Sequence, residues 1–177
     1  VNFSELKDKE YFTYNQAGQV TSNTSTAWDE SAQTYFNQLK LELTYDAKGN
    51  LTLVIVYTGD ALSWENSSKT ELNYNSSDKL IDVLNYNWNS NNNSWELIFK
   101  TEYAYDPNGI LALVQYFDWN VNNSQWMLSG KTELEYDSKG NLLTQVFFSW
   151  DQQWLFLARE EFTYNSSNQE LSFVSLY

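Results

Sequence analysis

Residues 100–111 read KTEYAYDPNGIL, and this stretch decides the fold. Thr101, Tyr103 and Tyr105 alternate with Lys100, Glu102 and Ala104, a period of two that belongs to a strand rather than a helix. Asp106-Pro107-Asn108-Gly109 then offers a type I turn with Gly109 in the left-handed position and a G1 bulge, so the chain reverses into a hairpin. Such a turn sets Asp106 against Ile110. It predicts Tyr105 opposite Leu111, Tyr103 opposite Leu113, Thr101 opposite Gln115 and Phe99 opposite Phe117.

The same pattern recurs along the whole chain. Tyr followed by Asp or Asn anchors six copies at Tyr14, Tyr45, Tyr74, Tyr105, Tyr136 and Tyr164, with spacings of 31, 29, 31, 31 and 28 residues. Five residues before each anchor stands a cation: Lys9, Lys40, Lys69, Lys100, Lys131 and Arg159. Glu follows two residues later as Glu42, Glu71, Glu102, Glu133 and Glu161, with Tyr11 in its place in the first copy. Fixed-period self-similarity of this length signals stacked units that bury their apolar surface only against neighbours.

The expected fold is therefore all-β: one repeat domain over residues 1–177, an antiparallel meander of about twelve strands built from six hairpin repeats of ~30 residues. In the fourth copy Trp95, Leu97, Phe99, Thr101, Tyr103 and Tyr105 are expected on one face, and Glu96, Ile98, Lys100, Glu102 and Ala104 on the other. The lysine face reads as the outer surface, because a Lys stem covers a ring while its ammonium stays wet. A single apolar face must be covered, so the sheet is expected to curl into a barrel or an open shell, with closure favoured because it removes both edges.

Each return strand ends in an aromatic, Trp28, Trp88, Trp119 or Trp150, with Gly59 breaking the series. A short polar loop leads to a second aromatic, Tyr35, Trp64, Trp95, Trp126 or Trp154, always five residues before the next cation. The shortest loop, Trp150 to Trp154, brings its two indoles close together, on the expected face of the Tyr anchors.

Composition narrows the function classes. Net charge is −13, with ten Lys and Arg scattered singly, which argues against nucleic acid and against an anionic membrane surface. Without His or Cys, Ser-His-Asp and Cys-His catalysis and the usual zinc sites have no residues to draw on. No P-loop, dinucleotide or EF-hand spacing occurs, so no cofactor and no metal are expected. The start, Val1-Asn2-Phe3-Ser4, has neither the charged nor the apolar region of a signal peptide, so the chain is either cytosolic or has lost its signal upstream.

The segments KLELTYDAKGNL at 40–51, KTEYAYDPNGIL at 100–111 and KTELEYDSKGNL at 131–142 resemble the YD repeats of the bacterial Rhs and YD-repeat family. Tandem repeats of this kind, with intervening Trp and Asn-rich loops, occur in secreted or surface proteins of Bacteroidetes-type bacteria. The resemblance implies β-hairpin repeats, which in the large Rhs proteins coil into a shell around a toxin, and a secreted or cell-surface setting. Here the repeat is near 30 residues rather than ~20, and GN replaces GR. It transfers no catalytic residue.

Two residue groups remain as candidates. Indole platforms stack on sugar rings and neighbouring amides bind hydroxyls, so Trp88, Trp95, Trp119, Asn122, Asn123, Trp126, Trp150 and Trp154 form a candidate ligand site for a glycan or another surface protein. The bland alternative is that each Trp closes a hairpin end and fills the core. The recurrent Glu102 and its equivalents are the only candidates for a carboxylate-based glycosidase, but acids that alternate with Lys read as cross-strand ion pairs. Alternating strands with aromatics at both ends also fit a small outer-membrane barrel with Lys and Glu lining its lumen. The sequence thus reads as a non-enzymatic structural or binding module.

Overall fold

One hydrogen-bond set recurs at every anchor and builds the six hairpins. At the fourth, Asp106 Oδ1 accepts from the backbone N–H of Asn108 and Ile110 at 2.9 and 2.7 Å. The Gly109 N–H donates to the Asp106 carbonyl at 2.9 Å, and the Asp106 N–H donates to the Ile110 carbonyl at 2.8 Å. Asn15, Asp46, Asn75, Asp137 and Asn165 repeat the set. The fourth turn residue has positive φ each time, at Gly18, Gly49, Asp78, Gly109, Gly140 and Asn168, so the expected turn chemistry is present.

The computed structural model describes residues 8–60 and 63–177; the reading of Val1 to Ser4 lies outside them. The strands are β1 (Lys9–Tyr14), β2 (Val20–Asp29), β3 (Thr34–Tyr45), β4 (Leu51–Gly59), β5 (Trp64–Tyr74) and β6 (Leu80–Asn89), followed by β7 (Ser94–Tyr105), β8 (Leu111–Asn120), β9 (Gln125–Tyr136), β10 (Leu142–Trp150), β11 (Trp154–Tyr164) and β12 (Glu170–Leu176). They form a twelve-stranded antiparallel meander in chain order. By its contacts the chain divides into two compact units, one comprising residues 1–73 and 84–97, the other 74–83 and 98–177.

The sheet is open, and closure is not what the chain adopts: β1 pairs only with β2, and β12 only with β11. The expectation failed because it assumed one apolar face, and a bulge two residues before the cation in β3, β5, β9 and β11 removes that asymmetry. In β9, Gly130 pairs with Tyr116 but Leu128 pairs with Phe117, which leaves Ser129 unpaired and turns the strand over. Gln38, Ser67 and Leu157 are the extra residues at the same place in β3, β5 and β11. Rings therefore stand on both faces, and a curled sheet would have no single dry side to bury.

A second bulge accompanies the turns after β1, β3, β7, β9 and β11 and corrects the expected register. Tyr105 does pair with Leu111, but Ala104 pairs with Leu113, so Ala112 is extra and every later pair moves by one. Tyr103 faces Val114, Thr101 faces Tyr116 and Phe99 faces Asp118. A one-residue slip exchanges the residues that meet across the ladder.

Successive hairpins are tied together by side chains. In the first unit the Tyr45 hydroxyl donates to the Val20 carbonyl at 2.9 Å and Gln19 Nε2 donates to the Gly49 carbonyl at 2.9 Å. In the second the Tyr105 hydroxyl donates to the Leu80 carbonyl at 2.8 Å, and Lys79 Nζ reaches the Gly109 carbonyl. In these two hairpins the anchor tyrosine ties its copy to the one before. Among the described residues the only buried apolar side chain is Val114, 8% exposed, with Thr132 its partner in the ladder; Thr101 and Thr144 are buried too.

Candidate functional site

The Ser129 bulge decides what the tryptophans touch. Trp126 and Lys131 are five residues apart and would take opposite faces in a regular strand, but one extra residue puts both on the same side. The expectation that the indoles share a face with the Tyr anchors is thereby corrected: they stand on the lysine side, and Tyr136 stands on the other.

On that side the second unit carries a repeated cluster. Trp119 and Trp126 are cross-strand partners and meet edge-on, with centroids 4.9 Å apart and planes at 66°. Trp150 and Trp154 do the same at 4.8 Å. Lys100 Nζ lies 4.4 Å from the Phe117 ring and 5.2 Å from Trp126, and Lys131 Nζ lies 4.7 Å from Phe148 and 4.4 Å from Trp154. Each ammonium is also paired, Lys100 with Glu102 at 2.6 Å and Lys131 with Glu133. These lysine side chains are only 16% exposed, so the ammonium does not stand free in water as the sequence suggested. Cation–π contact and ion pair together hold it between rings.

The first unit repeats the arrangement with variations. Trp88 and Trp95 meet edge-on at 4.9 Å, and Trp28 meets Tyr35 likewise. Lys69 Nζ lies 3.9 Å from Tyr86 and 5.8 Å from Trp95, and Lys9 Nζ lies 3.8 Å from Tyr35. The Tyr57 and Tyr86 hydroxyls donate to Glu42 and Glu71 at 2.7 and 2.8 Å. Hydrogen bonds from Lys40 and Tyr57 hold the Glu42 carboxyl below the usual range. Burial, then the bond to Glu42, pushes the Tyr57 phenol up to about 12. Burial works to raise the Glu71 carboxyl, but the bonds from Lys69 and Tyr86 outweigh it and the net direction is down.

Gly59 breaks the tryptophan series for a steric reason. A Cβ there would lie 2.4 Å from Asn37 Cβ and 2.7 Å from the Asn37 carbonyl carbon, so the backbone approach admits no side chain.

Of the residues expected to bind ligand, the structure brings together three pairs, Trp88 with Trp95, Trp119 with Trp126 and Trp150 with Trp154. Trp150 is exposed and the other five are half-buried. Asn122 and Asn123 are exposed in the loop between Trp119 and Trp126, where the Asn122 N–H donates to Asn120 Oδ1 at 3.0 Å. Tyr57, Tyr86, Phe117 and Phe148 were missed, although each stands seventeen residues after its cation, a spacing that would have found them. Among the described residues no three acids gather to hold a metal.

The profile of a family described as a family of unknown function, DUF3836, matches residues 47–137. The chain belongs to the DUF3836 family. Among solved structures this DUF3836 chain is similar to a protein of unknown function from Bacteroides fragilis NCTC 9343, at 19% identity and a TM-score of 0.58, over 74% of this chain and 94% of that one. It is similar to a DUF3836 family protein from Bacteroides vulgatus ATCC 8482, at 20% identity and a TM-score of 0.46, over 51% and 90%. It is also similar to TcdB2-TccC3-TEV, at 16% identity and a TM-score of 0.58, over 96% of this chain and 8% of that one. No curated protein matches it. At these identities the likeness is one of fold, and the family shown is DUF3836 and not specifically the YD repeats that the turn segments resemble.

Proposed function

We propose that this DUF3836 chain works as a single repeat domain of a secreted or cell-surface bacterial protein, non-enzymatic, structural or ligand-binding, with the tryptophan pairs as its ligand site. The observation that carries the reading is the three edge-on indole pairs, each next to a short loop at the strand ends of the sheet. An edge-on pair offers two apolar surfaces at a steep angle, and the loop amides of Asn122 and Asn123 supply hydrogen bonds beside one of them. That combination suits a sugar ring better than an extended peptide, so a glycan is the preferred ligand and a surface protein the second. The Bacteroides relatives support the bacterial setting, and the YD-like turns support the secreted or surface one.

The rival readings fit less well. A membrane barrel must close so that no strand edge meets lipid, and this sheet has two open edges. Glycoside hydrolysis needs one desolvated acid, whereas Glu102 is 42% exposed and paired with Lys100.

A glycan-array screen with the Trp119→Ala/Trp126→Ala variant alongside tests the proposal. Binding by the parent and its loss in a variant with an unchanged circular dichroism spectrum supports the site. No binding to any glycan, or equal binding by the folded variant, overturns it and leaves the indole pairs as packing.

A further inference from the structure

The unpaired edge of β12 has a partner chemistry written into the repeat. Every other return strand whose pairing the structure gives lies between its own outgoing strand and the outgoing strand of the next copy. Val146 of β10, for example, sits between Glu133 of β9 and Arg159 of β11 and is half-buried. Val174 holds the same place in β12, opposite Glu161, and is 47% exposed because nothing pairs beyond it. Leu171, Phe173 and Leu176 are likewise 66, 51 and 48% exposed. From Leu171 to Leu176 the edge carries no charge and no Pro, the devices by which open edges are usually protected. Ser175 Oγ is buried there without a hydrogen-bond partner.

The strand that would complete this edge is of the outgoing kind, and among the described residues β1 is the outgoing strand with no neighbour on its far side. Lys9 occupies the place of Arg159, so the interior register transfers directly. Val146 opposite Arg159 becomes Val174 opposite Lys9, and Gln145 opposite Glu160 becomes Phe173 opposite Glu10. Thr144 opposite Glu161 becomes Ser172 opposite Tyr11, and Phe147 opposite Ala158 becomes Ser175 opposite Asp8. Tyr11 is the residue that departs from the repeated Glu, and it is 54% exposed. An aromatic in place of a carboxylate suits an apolar junction.

We propose that the β12 edge of one copy pairs with the β1 edge of a second copy of this chain, antiparallel, with Val174 opposite Lys9. The contact is head-to-tail, so it leaves an equivalent pair of edges free and extends by addition. The uncharged Ser172–Tyr11 pair and the apolar strip from Leu171 to Leu176 drive it, and the Lys9 cation meets a valine as Arg159 does.

Sedimentation of the 177-residue chain should show species growing with concentration, and a peptide of residues 8–14 should reverse the growth by occupying β12. The chain has no Cys, so Lys9→Cys and Val174→Cys proteins mixed under mild oxidation report the register. The expected result is a several-fold excess of the mixed disulfide dimer over either self-dimer. A monomer at all concentrations overturns the proposal. So does self-linking of Val174→Cys, which would show two β12 edges pairing with each other, or association that the peptide leaves unchanged.

Discussion

Lys131 and Trp154 stand on β9 and β11, with a whole strand between them, yet the Lys131 Nζ lies 4.4 Å from the indole centroid. The side chain crosses β10 over Phe148, its direct partner in the ladder. A cation so placed closes the gap between two hairpins. Lys131→Met keeps most of the stem but loses the charge, and it leaves Glu133 without its ion pair. The expected loss is about 1–2 kcal/mol, read from urea unfolding, with a shift in tryptophan emission. Lys131→Ala should cost more, because the stem's contact with the ring is lost as well.

Tyr57 gives an alkaline signature. Its phenol is raised to about 12, so the folded state holds this proton more tightly than the unfolded chain does. The linked stability is complete below the unfolded value near 10 and is lost as pH rises towards 12. Burial also raises Tyr103 and Tyr136, so phenolate absorbance should show a late-titrating fraction in the native protein, and Tyr57→Phe should remove its most alkaline part. A most alkaline step that survives the substitution would assign it to another residue.

The turn aspartates control the acid limb. The Asn50 side chain lowers Asp46, the Ile110 N–H lowers Asp106 and the Asn141 side chain lowers Asp137. Depressed carboxyls contribute stability that is present above the unfolded value of about 3.9 and lost as pH falls through the folded one. Asn already fills this position at Asn15, Asn75 and Asn165, its Oδ1 accepting from the same backbone N–H donors. The triple variant Asp46→Asn, Asp106→Asn, Asp137→Asn should therefore keep the fold and unfold less steeply below pH ~4. An unchanged acid melting profile would contradict this.

Gly59 should reject any side chain. The Cβ of Gly59→Ala would lie 2.4 Å from Asn37 Cβ, so the two strands must part. A loss of about 1–3 kcal/mol in thermal or urea unfolding is expected, as for other overpacked sites. Trimming the neighbour in Gly59→Ala/Asn37→Gly should recover part of it.

Fold and site were not equally legible. Alternation in KTEYAYDPNGIL and its six-fold recurrence expose strands, turns and order, because a two-residue period and a left-handed turn residue are local properties. The pairing of Trp119 with Trp126 also follows from a short loop between them. The company those indoles keep does not, because Ser129 looks like any strand residue and its being unpaired depends on the facing strand. One such residue moved the tryptophans from the tyrosine side to the lysine side.

The sequence by itself determined the hairpins, their number, their turns and the antiparallel meander that joins them, since each rests on contacts between residues close in the chain. Only the tertiary structure decided the parity of the faces, the lysine cation between rings two strands apart and the open edges of β1 and β12. These depend on how a bulge in one strand is answered by its neighbour. Once both faces carried rings, closing the sheet had no dry side left to bury.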